Sequence, residues 1–178
     1  MKKMLIGLLV LLMLMPCAQA AKAFVPSLPG NEAPDFEAPM LDGEIFRLSD
    51  HRGKVILLNI WATWCPACVA GMPNLEQLSQ DYSEELVVIG VNCGEDAQTV
   101  REFVKEKGYT YCFVTDEEYL ISGMLYPTST LPCTVVIDAD GVITRVNRGS
   151  SKDMYEVFEG YVLEAIENTK ITEVEILA

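Results

Sequence analysis

Histidine is almost missing from this chain: His51 is the only one in 178 residues. A metal centre built on imidazoles needs a second, so His51, just before Gly53, reads as a surface loop residue. Cations are scarce as well. Thirteen Lys and Arg face 26 Asp and Glu, a formal net charge of −13, which becomes −15 once Lys2 and Lys3 are discounted. Such a surface argues against nucleic acid and anionic lipid as partners; it favours basic partners or, on the plainer reading, serves solubility alone. Long apolar runs are absent too. The run over 4–15 falls short of the roughly 20 residues that a spanning helix needs. There is no internal repeat, no low-complexity segment and no second closely spaced ligand pair for a structural zinc. Val69 stands where covalent haem attachment requires histidine after a Cys-x-x-Cys pair. Nothing in the chain asks for a cofactor.

What is present is enough sequence for one domain with a proper core. Lys2 and Lys3, the apolar run 4–15 and Ala18-Gln19-Ala20 give residues 1–20 the layout of a secretory signal peptide. Export places the mature chain in a periplasmic or otherwise extracytoplasmic compartment, where disulfides can form. Membrane anchoring would require that leader to stay uncleaved. Cys17 follows Pro16, a poor setting for lipid attachment, and is read as discarded with the leader. Residues 21–32 form an extended lead-in, 33–167 the folded domain, and 168–178 a tail with no assigned element.

The organising stretch is 54–73, KVILLNIWATWCPACVAGMP. Its apolar run over 55–60 has the length of a strand buried on both faces. Trp61 and Trp64 follow, then Cys65 and Cys68 at the start of a helical segment that Pro73 should kink. The first turn of a helix has unpaired N–H groups and the positive end of the macrodipole. A thiolate at Cys65 is the anion such a site stabilises, and Cys68 is placed to close a short disulfide with it. The chemistry expected is dithiol–disulfide exchange.

Around this stretch, 41–48 reads as a hairpin turning at Asp42-Gly43. Strands are expected over 86–91 and 111–114, with helices over 97–107 and 117–125. Cys133 opens a strand that returns through Ala139-Asp140-Gly141 as a second hairpin. An amphipathic helix over 154–166 closes the domain. The class is α/β with a partly parallel sheet.

Ala33-Pro34-Asp35-Phe36, Leu41-Asp42-Gly43, Leu48-Ser49-Asp50, Gly53-Lys54-Val55 and Asn59-Ile60-Trp61-Ala62-Thr63-Trp64-Cys65-Pro66-Ala67-Cys68 stand in the order seen in exported thioredoxin-like proteins. The chain resembles their branch tied to cytochrome c maturation and related thiol–disulfide exchange, over about 33–166. That resemblance implies a thioredoxin-like fold: a central mixed β-sheet flanked by helices, an N-terminal β-hairpin and an inserted helix–strand at 97–114. It also implies a cis bond at Leu131-Pro132, packed opposite Cys65, with Trp64, Pro66, Leu131 and Pro132 as the substrate-binding surface. Partners would be substrate protein disulfides and an exported or membrane electron donor, and the protein itself a monomer.

Two residues depart from the pattern. Asn59 stands where many thioredoxins hold a buried aspartate that handles the second cysteine's proton, and Gly71 stands where some relatives of the cytochrome branch place a glutamate. Glu95, just past the neighbouring strand, is the candidate proton handler. Of the remaining thiols, Cys93 and Cys133 are weighed as a disulfide relay to the active pair against small buried core residues. Cys112 sits at the opposite end of its strand. Two rival functions stay open at this point. A peroxiredoxin-type peroxidase would need Pro and Thr or Ser where Leu58 and Ala62 stand, and a non-catalytic binding module would use only the Leu131–Pro132 groove.

Overall fold

A computed structural model describes residues 27–151 and 153–177, with side chains described through Thr169. The expected secretory signal, Cys17 and residues 21–26 lie outside the described residues.

The sheet grows from the apolar run. Strand β3 (Val55–Trp61) is buried at every position, which only a central strand covered on both faces allows. It pairs in parallel with β4 (Leu86–Cys93), and β4 in parallel with β5 (Cys112–Asp116). On the other side β3 meets β6 (Cys133–Ile137) antiparallel, and β6 meets β7 (Ile143–Arg148) antiparallel. The order is β5-β4-β3-β6-β7. A separate two-stranded hairpin, β1 (Glu37–Pro39) with β2 (Ile45–Arg47), turns through Gly43 at φ 97°.

Side chains alternate along β3, and the alternation sorts the core into two layers. Val55, Leu57 and Trp61 pack beneath helices α1 (Pro66–Asp81), α2 (Ala97–Lys107) and α3 (Met154–Leu177). Ile56, Leu58 and Ile60 pack on the opposite face against Phe36 and Phe46 of the N-terminal hairpin region. His51 is half-buried there, its ring stacked on Phe46 with centroids 4.7 Å apart.

Helix α1 runs to Asp81 with Pro73 inside it, as expected. Two elements differ from expectation. Helix α3 runs on to Leu177, through the tail that was expected to have no element. No glycine or proline follows Gly160, so nothing in the tail's chemistry ends the helix. The expected helix over 117–125 is a wide π-type turn, Leu120–Leu125. The buried Asp116 carboxylate accepts from the N–H groups of Ile121 and Ser122 at 3.0 and 2.7 Å, and so fixes where that turn begins.

Gly90 of β4 shows how tightly the helix-side layer is filled. A Cβ there would lie 2.8 Å from the Phe113 ring and 3.0 Å from Trp61 Nε1. Both rings are rigid and buried, so Gly90→Ala is expected to destabilise the fold by about 1–3 kcal/mol, read from a chemical-denaturation midpoint. An unshifted midpoint would mean the aromatic layer yields freely.

Candidate active site

Strand β3 ends at Trp61 and the chain turns at once into α1. Cys65 caps that helix with extended backbone (φ −94°, ψ 100°), and Pro66 occupies the first helical position, where its missing N–H costs nothing. The Cys68 N–H points at Cys65 Sγ, 3.2 Å away. That contact is the expected anion site in physical form: a backbone donor in the first turn aimed at the sulfur that would carry charge. Cys65 and Cys68 are joined as a disulfide with Cα atoms 5.3 Å apart. Both are buried, whereas Trp64 is 68% exposed and Pro66 is also exposed. The Leu131–Pro132 bond is cis, with Leu131 half-buried and Pro132 buried.

The two departures acquire reasons. Asn59 lies buried on the helix-facing side of β3 and donates from Nδ2 to Thr134 Oγ1 at 2.8 Å, directly across the β3–β6 pairing. A neutral amide–hydroxyl pair thus fills the place of a titrating carboxylate. Gly71 is buried in α1 against α3, and a Cβ there would meet Met154 Sδ at 2.5 Å. A glutamate at 71 has no room unless the methionine end moves.

Glu95 is half-buried in the loop after β4. Its carboxylate accepts from the Thr63 N–H at 2.7 Å, from Thr63 Oγ1, and from Asn92 Nδ2 at 2.8 Å. These bonds run to the segment just before Trp64 and Cys65 rather than to a sulfur. Thr63 and Asn92 were not singled out from the sequence, though Asn92, near the end of β4, sits only three residues before Glu95. Asn92 is fully buried, and its Oδ1 and the nearby Trp61 Nε1 have no protein partner.

The spare thiols lie elsewhere. Cys133 belongs to the layer on the hairpin side of the sheet, and Cys93 and Cys112 are packed against that same layer. The Cys65–Cys68 pair sits in the helix-side layer. Burial raises the pKa of Cys112, with Asp42 adding to it. Burial likewise raises that of Cys133, against a smaller lowering by a Thr128 hydrogen bond and Arg148. Cys93 and Cys133 pack on the face of the sheet away from the active pair, and the raised pKa of Cys133 further disfavours its thiolate, which favours the core reading over the relay. Replacing Cys93 and Cys133 by alanine together is expected to leave Cys65–Cys68 as the sole disulfide found by mass mapping after mild oxidation. A Cys65–Cys133 or Cys65–Cys93 species in the unaltered protein would restore the relay.

A helix-capping cysteine disulfide-bonded to the cysteine three residues on, at the same end of a mixed sheet as a cis-proline, defines a thioredoxin-like thiol–disulfide oxidoreductase. Residues 28–160 match the Redoxin family, and the chain belongs to it. It is 36% identical over 122 residues to the thiol-disulfide oxidoreductase ResA of Geobacillus kaustophilus, covering 68% of this chain and 70% of that one. Among solved structures it resembles a Chlorobium tepidum protein described as the thiol:disulfide interchange protein DsbE. There the TM-score is 0.72 and identity 27%, over 78% of this chain and 97% of the other. It also resembles the exposed lipoprotein thioredoxin of Streptococcus pneumoniae, with TM-score 0.66 and 25% identity, over 74% and 99%. The protein is an enzyme of thiol–disulfide exchange with the fold read from its sequence.

Proposed function

We propose that this oxidoreductase works outside the cytoplasm as a reductant of protein disulfides. The observation that carries the catalytic part is Cys65 Sγ held on the Cys68 N–H at the start of α1, beside an exposed Trp64. The leader-like sequence over 1–20 and the printed description of the pneumococcal neighbour as an exposed lipoprotein support the location. In the reduced protein, the Cys65 thiolate attacks one sulfur of a substrate disulfide and the other leaves as a thiolate. Cys68, giving up its proton, then attacks Cys65 and releases the second substrate thiol. Two electrons pass to the substrate, and the enzyme is left with Cys65–Cys68 oxidised. An exported or membrane dithiol must supply those electrons again. The substrate chain lies over Trp64, Pro66, Leu131 and Pro132. Glu95 takes up the Cys68 proton, in place of the carboxylate that Asn59 lacks. Work on cytochrome c precursors is the finer reading, resting on the resemblance to the maturation branch, and the enzyme acts as a monomer.

The peroxidase alternative finds no support at 58 and 62, where Leu58 and Ala62 are fully buried apolar residues with no hydroxyl to activate peroxide. The deciding experiment is the reduction potential of Cys65–Cys68, equilibrated in glutathione buffers, alkylated and mapped by mass. A value below about −220 mV supports a reductant, and one above about −150 mV makes the enzyme a donor of disulfides instead.

A further inference from the structure

Seven large apolar side chains are well exposed among the described residues, and four of them, Trp64, Tyr119, Leu120 and Met124, fall in the loops at one end of the sheet. The parallel strands β3, β4 and β5 all point their carboxyl ends there, the usual place for a ligand crevice in such sheets. The three loops are tied to one another. Thr63, after β3, is held by Glu95, after β4. The Tyr119 side chain, after β5, lies directly on Gly94, where a Cβ would collide with the tyrosine hydroxyl. Tyr119 is also the only described non-glycine residue with positive φ, at 57°. Strained backbone of that kind persists where the surroundings enforce it, often at binding sites. Leu120 and Met124, four apart on the π-type turn, stand just beyond it and are 52% and 62% exposed. Wide turns of this type also recur at functional sites.

The charge around the patch has one sign. No Lys or Arg occurs between Lys54 and Arg101, nor between Lys107 and Arg145. The loops at this end instead carry Asp96, Glu117 and Glu118, all exposed, beside half-buried Glu95. Glu117 is anchored by accepting from the Ala97 N–H at 3.2 Å. Among the described residues, Arg148, paired in register with Cys133, brings a cation to this end of the sheet and lies on the far, β7 side. An apolar platform with an acidic border fits a cationic polypeptide segment by charge complementarity.

Resting on the reductant reading above, we propose that Tyr119, Leu120 and Met124 extend the active site into a docking surface for substrate chains whose disulfide is flanked by apolar and Lys- or Arg-rich residues. The acidic border steers such a segment, the apolar turn holds it, and its disulfide is thereby presented to Cys65.

The test uses two synthetic peptides with one intramolecular disulfide and the same apolar residues, one bearing lysines at its flanks and the other glutamates. Hydroxyethyl disulfide serves as the small uncharged reference. The reduced enzyme is mixed with each and oxidation of Cys65–Cys68 is followed by tryptophan fluorescence. At low ionic strength the cationic peptide is expected to react about tenfold faster than its acidic twin, and the gap is expected to close with added salt. In Leu120→Ala/Met124→Ala, checked for folding by its thermal melt, the ratio of the cationic-peptide rate to the hydroxyethyl disulfide rate is expected to fall about fivefold or more. Equal peptide rates at low salt, or an unchanged ratio in the double variant, overturn the proposal. So does a self-association that the double variant abolishes in sedimentation, since a second copy would then cover the surface. If hydroxyethyl disulfide is reduced through Cys65 while the peptides are not distinguished, the docking surface alone fails. If none of the three substrates is reduced, the reductant reading fails with it.

Discussion

Cys68→Ser, with Cys65 intact, is expected to halt the reaction at the mixed disulfide and to lower turnover at least about a thousandfold, as loss of a residue acting within a catalytic unit does. The two sulfurs are not equivalent. Cys65 sits before the first turn of α1, its Sγ accepting the Cys68 N–H, with Trp64 exposed beside it. Cys68 lies inside the helix, 3% exposed against 6% for Cys65, so position in the helix separates the two more than exposure does. The first thiol can therefore be a stabilised thiolate at the helix start, beside exposed Trp64, while the second sits one turn further in, placed to attack the first. Without a resolving thiol, the Cys65–substrate bond persists and accumulates as a one-to-one adduct visible by intact mass. Cys65→Ser should lose both turnover and adduct. In the reduced enzyme, alkylation against pH should show Cys65 titrating below the roughly 8.5 of a free thiol. An adduct trapped in Cys65→Ser rather than in Cys68→Ser would reverse the roles, and the helix-cap explanation of reactivity would fall with it.

Those roles were open to reading because everything that creates them is local. The run over 55–60 is apolar at nearly every position since β3 is covered on both faces, and a buried strand feeding cysteines into a helix start needs no distant information. What stayed hidden depends on remote partners. Asn59 looked like a loss of function at its position, but Thr134, far along the chain, gives its amide a buried hydrogen bond. Gly71 looked like a missing glutamate, and only the packing of α3 shows that Met154 fills its space. The positions of Cys93 and Cys133 at strand ends were legible. Their common face was not, because period-two alternation says which residues share a side without saying which side the helices cover. The far end of α3 was misjudged for a different reason. Its amphipathic spacing fades before its helix-forming composition does, and composition decided. Tyr119 gave no sequence signal at all, since a tyrosine in left-handed backbone is imposed by its surroundings.

Glu95→Gln is expected to slow resolution of the mixed disulfide by about a hundredfold, the lower end of what a positioned proton acceptor contributes. The fold places the Glu95 carboxylate against the segment that leads into Cys65, and at 59 it holds a neutral amide bonded to Thr134. In the mechanism proposed above, Glu95 accepts the proton that Cys68 must lose, directly or through a water. Glutamine is a stringent replacement because it keeps the size and one acceptor oxygen while losing the base. Glu95 also accepts three hydrogen bonds from Thr63 and Asn92, so a purely positioning role makes a different forecast. Glu95→Ala would then be far worse than Glu95→Gln, and both would keep the parent's pH dependence. If Glu95 handles the proton, the two variants slow the second step alike, and the pH profile of that step loses the carboxylate's limb while first attack by Cys65 remains. Removing a negative charge near Cys65 should also make its thiolate easier to form, moving its alkylation curve to lower pH. Single-turnover mixing across pH, with quenched samples mapped for the mixed disulfide, reads both steps at once. A Glu95→Gln enzyme that resolves the adduct within about twofold of the parent, below even the weakest general-base effect, would leave Glu95 as the clamp on Thr63 and nothing more.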